Sequence, residues 1–411
     1  TGVNNTLIGA TAGDAFTDAD ANTAIGAYAL TADTMGSQST AVGHGSLAHQ
    51  NFTTATAANN TAIGYIAGNL ITTGINNTFV GSGAGDTTTT ANQNVAVGKD
   101  AFTSNVAGAK NVAIGTAAMA NFNVTATDSL NTCVGDHAGS AMTTGVFNVC
   151  VGGNAGDALT DADANIAIGR HALGADTLGS GSIAIGDSSL FTQNYATGTA
   201  AFNVALGHSA GYSISTGVYN ISVGARANAT STPTTTGNYN IIIGVDGRPS
   251  AGSGGHQICI GNEVTGTADN TFNFGKASNI VSNTYTSNAS FSRSSDVNKK
   301  TNIEDDTLGL DFINDLRTVT FNWRPNSEFP EHYKDYHPTK NDMETDIKLH
   351  GMVAQEVKAA LDKAGVDTFG GWSEEEDGSQ RISQEMFIHP LIRAVQELSN
   401  EVKELKEKLN G

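Results

Sequence analysis

The sequence predicts a mainly β protein: a repetitive β-roll or β-solenoid rod, followed by a small mixed α/β domain that ends in a coiled-coil helix. Three observations carry this. A pentapeptide pattern N-x-A-[IV]-G recurs fifteen times up to Gly261. The charge density jumps near residue 294, from 23 charged residues in positions 1–294 to 38 in positions 295–411. A heptad pattern occupies the last twenty or so residues. Four segments follow: the repeat rod 1–261, a β neck 262–294, a folded domain 295–389 and a C-terminal helix 390–411.

The rod comes first. The glycine closing each copy stands at 9, 26, 43, 64, 81, 98, 115, 135, 152, 169, 186, 207, 224, 244 and 261. Spacings are 17, lengthened in four places to 20 or 21, which marks one structural rung per copy with occasional loop insertions. Each copy offers one short alternating strand, such as Thr23-Ala24-Ile25, ended by a glycine where the chain must turn sharply. One such unit cannot bury a core alone, whereas stacked copies can. The recurrent Asn predicts a ladder of side-chain amides along the stack. With strands about 4.8 Å apart, the array makes a rod on the order of 70 Å long. Its interior, lined by Ala, is thin, so three chains around one axis would bury more than one. A longer echo also exists: GDAFTDADANTAIGAYALTADTMG at 13–36 returns as GDALTDADANIAIGRHALGADTLG at 156–179, an offset of 143 residues. The array grew by duplicating a block of about eight rungs.

Composition excludes several classes. The formal net charge of −19 leaves no basic face for nucleic acid. No apolar run reaches the length of a membrane span, so membrane insertion is not expected. Cys133, Cys150 and Cys259 occupy the Ala position of the repeat and read as small core residues, not as a disulfide or metal framework. The acidic turns DADAN at 18–22 and 161–165 carry oxygen ligands that suit calcium, but read first as solvated turns. His44, His137, His171 and His208 sit just after repeat glycines with no His-x-His pairing, as surface residues. No cofactor and no metal site is expected. Residues 262–291 lose the 17-residue period while staying Asn-rich and β-like.

The seam, SRSSDVNKKTNI at 292–303, holds a serine and two lysines. Read by itself, it fits a helix N-cap, with Ser295 or Asp296 capping and the lysines solvated. A serine and a lysine can also form a nucleophile and base, if desolvation or a neighbouring cation frees the lysine of its proton. Lys299 is such a cation beside Lys300. Five residues apart, Ser295 and Lys300 lie on different faces of a helix and opposite faces of a strand, so pairing needs a turn or two chains. Downstream, Leu310, Phe312, Ile313, Leu316, Val319, Phe321 and Trp323 are expected to form the small core. EEEDGSQ at 374–380 reads as a solvated loop. Leu391, Val395, Leu398, Val402, Leu405 and Leu409 are spaced 4, 3, 4, 3, 4, an a/d seam for a coiled coil, with Pro390 in its first turn.

Two resemblances add to this. The N-x-A-[IV]-G array resembles the head repeats of trimeric autotransporter adhesins of the YadA type, and similar arrays occur in phage tail fibres. The fold this implies is a trimer of left-handed parallel β-rolls. The usual adhesin unit is nearer fourteen residues than seventeen. The second covers the C-terminal part. SSDVNKKTNI, GLDFINDLRTVTFNW and HGMVAQEVKAAL resemble the self-cleaving intramolecular chaperone domain of phage tail fibres and tailspikes, of the endosialidase type. That family's signature is Ser-Asp-x-Arg-x-Lys with an Ile three further on, met here by Ser295, Asp296, Lys300 and Ile303, with Asn298 in the place of Arg. The resemblance implies cleavage between Ser294 and Ser295, with Ser295 as nucleophile, Lys300 as base, and Asp296, Asn298 and Lys299 as accessory residues.

The expectation is therefore a homotrimeric phage tail fibre, part of the virion and bound to a host cell-surface receptor, glycan or outer-membrane component. Its C-terminal domain directs trimer folding and then cuts itself free once, as an intramolecular serine autopeptidase. Two other readings are a bacterial trimeric adhesin at the cell surface and a glycan-degrading tailspike. Insertion loops near 49–58, 121–129, 192–202 and 229–237 are the places to look for receptor contacts. Because TGVNN opens inside a repeat, the chain is expected to start within a longer protein.

Overall fold

The computed structural model describes residues 2–410 except 125–127, 230–235, 278, 287–290 and 294. Parts of the insertion loops at 121–129 and 229–237 thus lie outside the described residues. The chain divides into two compact units, Thr1–Ser294 and Ser295–Gly411.

The first unit is a β-solenoid. Each repeat contributes a three-residue strand, from Thr6–Ile8 and Thr23–Ile25 through Ile241–Ile243, each pairing in parallel with the next. The register is the repeat itself: Thr6 faces Thr23, Ala24 faces Ala41, Phe79 faces Ala96. Insertions do not break it, since Thr40 still faces Thr61 across a longer rung. The sequence alternation explains the burial. From the second strand on, the middle residue points inward, so Ala24, Ala41, Ala62, Ala96 and Ala113 are fully buried. Cys133 and Cys150, in register with one another, are buried free thiols in that same row. Phe79, Phe102 and Phe122 fill the interior where the small row leaves room, the last two stacked at 5.8 Å.

The amide ladder forms, with a geometry richer than side chain to side chain. Asn94 accepts the backbone N–H of Asn111 at 2.9 Å and donates its own amide to the Gly108 carbonyl at 2.9 Å. Asn77, Asn131, Asn148 and Asn220 repeat the arrangement. Each of these five Asn thus ties its rung to the backbone of the next, which satisfies buried polar groups. The closing glycine is required twice over. Gly98 has φ +136°, and a Cβ there would lie 2.4 Å from the carbonyl oxygen of Gly115 in the next rung.

The acidic turns act within the stack. Asp20 accepts the backbone N–H of Val3 at 2.7 Å, and Asp163 that of Val146 at 2.8 Å. Past Gly261, the strand Thr271–Lys276 extends the parallel sheet from Ile258–Asn262, and Asn279–Thr284 then returns antiparallel to it.

The second unit is small and mixed. Helices α1 (Leu310–Asp315), α2 (Ala354–Lys363) and α3 (Ile388–Asn410) accompany two hairpin-like pairs, Val319–Phe321 with Leu349–Gly351 and Trp372–Glu374 with Gln380–Ile382. Its core is Leu308, Phe312, Val357, Ala360, Leu361 and Phe387, with Ile313 and Leu316 packed against it. Trp323, expected inside, is instead 45% exposed with its ring edge-on to Phe321. It lies beyond the strand's end, where a two-stranded sheet offers nothing to cover it. Part of 374–380 is ordered rather than a free loop, since Glu374 and Gln380 pair across the second hairpin. Helix α1 has no capping side chain of its own; Glu397 of α3 accepts the Leu310 N–H at 2.7 Å and is held by Arg393 at 2.9 Å. These bonds, that from Leu310 foremost, hold the Glu397 carboxyl below its ordinary pKa.

Candidate cleavage site

The second unit begins with the seam, and local sequence shapes it. Asp296, in extended conformation, caps a single 3₁₀ turn over Val297–Lys299. Its Oδ1 accepts from the backbone N–H of Asn298 at 2.8 Å and from the Asn298 side-chain amide at 2.9 Å. These two bonds, then the Lys299 charge, keep the Asp296 carboxyl below its ordinary pKa. The turn closes with the N–H of Lys299 bonded to the Asp296 carbonyl at 3.0 Å and that of Lys300 to the Val297 carbonyl at 3.1 Å.

Reversal of the chain over this turn brings Lys300 back to Ser295. Lys300 Nζ donates to Ser295 Oγ at 2.7 Å. Neither a straight helix nor a strand could make that contact. Capping and pairing therefore coexist: Asp296 acts as an N-cap, and the turn it caps aligns the serine and lysine. Ser295, Asp296, Asn298, Lys299 and Lys300 are all exposed in the single chain. Ser294, on the other side of the bond expected to be cut, lies outside the described residues.

Asn298 has a role that its departure from Arg did not suggest, because its amide supplies the second bond to Asp296. Elsewhere among the described residues there is no cluster of His, Cys, Asp and Glu that could hold a metal ion, and no helix long and apolar enough to cross a membrane. Of the histidines flagged in the repeats, His137 bonds Asp136 at 2.9 Å, while His44 stacks with Tyr65 at 5.5 Å.

The chain from Ser295 carries more than a local motif. Residues 295–366 match the family described as chaperone of endosialidase, a peptidase family. The match begins at Ser295 and ends within the second unit, so it describes that unit and not the rod. No curated protein and no solved structure matches the chain. A domain of the chaperone-of-endosialidase family implies intramolecular chaperone function and self-cleavage in general. Joined to a β-solenoid of fifteen rungs, it fits a fibre- or tailspike-like protein.

Proposed function

We propose that the chain is a homotrimeric phage tail fibre that attaches the virion to a host cell-surface receptor, and that residues 295–411 align three chains, then cut themselves from the rod once between Ser294 and Ser295. The observation that carries this is the 2.7 Å contact between Lys300 Nζ and Ser295 Oγ at the first residues of the matched domain.

The chemistry balances as follows. Lys300, as the neutral amine, takes the Ser295 hydroxyl proton while Oγ adds to the carbonyl carbon of residue 294. The five-membered adduct collapses by breaking its C–N bond, and the Lys300 ammonium returns the proton to the departing nitrogen. The ester so formed is hydrolysed by water, which leaves a carboxylate at 294 and a free serine N-terminus at 295. A serine regenerated on the released fragment has no second substrate, so the turnover is single.

The base needs to lose its proton, and desolvation is the usual means. Lys300 is exposed in one chain, so cover by partner chains would supply the missing desolvation and make cleavage conditional on assembly. Two surfaces support assembly. In the rod, the residue before each closing glycine faces outward, and Ile63, Ile114, Ile168, Leu206, Ile243 and Ile260 are 37–47% exposed along one row. In the second unit, the α3 seam from Leu391 to Leu409 is 42–84% exposed. Rows of apolar side chains this long are interface, not ordinary surface. Once the template leaves, the rod is trapped kinetically, because its non-local parallel pairing is slow to re-form.

Light scattering on the purified product tests the reading. A rod fragment ending at residue 294 with three times its chain mass is expected. A monomeric rod would sink it.

A further inference from the structure

The duplication inside the rod provides its own comparison. At an offset of 143 residues, two insertion-bearing turns rest on the same buried frame. In the first, Gln50 donates to Asp33 at 2.6 Å and Asn60 donates to Gln50 at 2.9 Å. In the second, Gln193 donates to Asp176 at 2.5 Å and Asn203 donates to Gln193 at 2.9 Å. The short auxiliary ladders recur too, Gly36–Ser37 with Thr56–Ala57 and Gly179–Ser180 with Thr199–Ala200. With so much held constant, the differences at the surface are informative.

In the second copy, Phe191 stacks on Tyr212 at 5.3 Å, and His171 meets Phe191 edge-on at 6.0 Å. The matching positions of the first copy hold Ala48 and Asn69. There the side chains are smaller, and a cleft of about 360 Å³ opens between Tyr28, His44, His49 and Asn69. Tyr28 and His44, which line it, meet edge-on at 5.5 Å, and the row of rings continues past the cleft from His44 to Tyr65, stacked at 5.5 Å. Tyr28 and Tyr65 are more than half exposed. The polar groups are held in place. His49 Nδ1 bonds the Asn69 carbonyl at 3.0 Å, and the Asn69 amide donates to the Gly45 carbonyl at 2.9 Å. No Lys, Arg, Asp or Glu lines the cleft. This face looks to solvent, since the row that holds His44 and Tyr65 carries Lys99, Asp136 and Arg170 in other rungs, all exposed.

We infer that this cleft binds a neutral saccharide, one or two sugar units of a longer glycan. Exposed ring faces accept the C–H face of a pyranose, and fixed amide, imidazole and hydroxyl groups serve its hydroxyls. An anionic ligand would lack a cation to meet it, and a wholly apolar one would strand the amide and imidazole. Polar groups already oriented by the backbone lose little on binding. The inference rests on the attachment reading above for its biological purpose, though the binding itself does not.

The test uses the full chain with maltotriose, lactose and chitotriose as probes, read by saturation-transfer NMR. Saturable binding of at least one probe is expected. Tyr28→Ala and Ala48→Phe should each weaken it at least tenfold, while Phe191→Ala leaves it unchanged. Ala48→Phe installs the ring that the second copy already accommodates, and an unchanged melting temperature shows that it folds. No saturable signal from any probe, or equal binding by Ala48→Phe, overturns the inference. Adsorption to host cells separates the two claims. A chain that binds a probe but adsorbs to no cell keeps the site and loses the attachment reading. Adsorption that survives Ala48→Phe in full assigns attachment elsewhere and overturns the cleft's part in it.

Discussion

Lys300 and Ser295 meet because a single turn, capped by Asp296, reverses the chain between them and sets Nζ 2.7 Å from Oγ. The dyad is thus made within six consecutive residues, and its alignment depends on a turn that a carboxylate holds closed. Cleavage should therefore respond to the cap as well as to the two reacting groups.

Asp296→Ala removes both bonds from Asn298, whereas Asp296→Asn can still accept at Oδ1. Processing of the alanine variant should slow about fivefold, because the turn loses its N-cap. The asparagine variant should stay within about twofold of wild type. A time course of fragment appearance on gels checks this, and equal rates for both would remove the turn from the mechanism.

The pH dependence has a definite sign. The Asp296 carboxyl has its pKa depressed in the folded chain, so its contribution to the turn is fully present above the ordinary carboxylate pKa and is lost as pH falls through the depressed value. Between pH 6 and 9 the cap is constant. The proposed base acts only as the neutral amine, so the processing rate should rise with pH across that range. Lys300→Arg, which stays protonated, should not process at any pH in it. Rates from refolding at fixed pH measure both.

Within the rod, Asn94 and Gly98 carry different loads. Asn94→Ala leaves the buried Asn111 N–H without its partner, a loss of about 1–3 kcal/mol, while the Gly108 carbonyl keeps the Asn105 amide. Gly98→Ala forces a Cβ into the next rung at positive φ and should lower folding yield further. The exposed Thr73→Ala should change stability by about 0.5 kcal/mol or less. Urea unfolding of the three variants ranks them.

Charge in the α3 seam should act on assembly before chemistry. Val402→Glu places a carboxylate on the row of Leu398 and Leu405, where a coiled coil buries its apolar residues. The expected chain is monomeric by light scattering and uncut, though Ser295 and Lys300 are untouched. A monomer that still cleaves would show that cover by partner chains is not what activates Lys300.

Much of this was legible in the sequence. The fifteen glycines and the Ala row dictated rung length, register and burial, and the a/d spacing of Leu391 to Leu409 located the exposed seam of α3. The amide ladder was visible as recurrent Asn, but not its bonding to the backbone of the next rung, which depends on how closely the rungs stack. Left-handed backbone at Leu30, Phe102 and Met119 was not visible at all, since nothing in those side chains asks for φ near +50°. Stacking imposes it. Trp323 was misplaced because a hydrophobic run says nothing about where a short sheet ends. The cleft at Tyr28 and His44 escaped notice because it exists only through what Ala48 and Asn69 fail to fill.

The most direct measurement is the intact mass of the purified wild-type chain beside Ser295→Ala. Two wild-type fragments are expected, one ending at Ser294 and one beginning at Ser295, with the variant whole, folded and trimeric. Full-length wild-type chain in a folded trimer, or cleavage at the same bond in Ser295→Ala, would contradict that expectation.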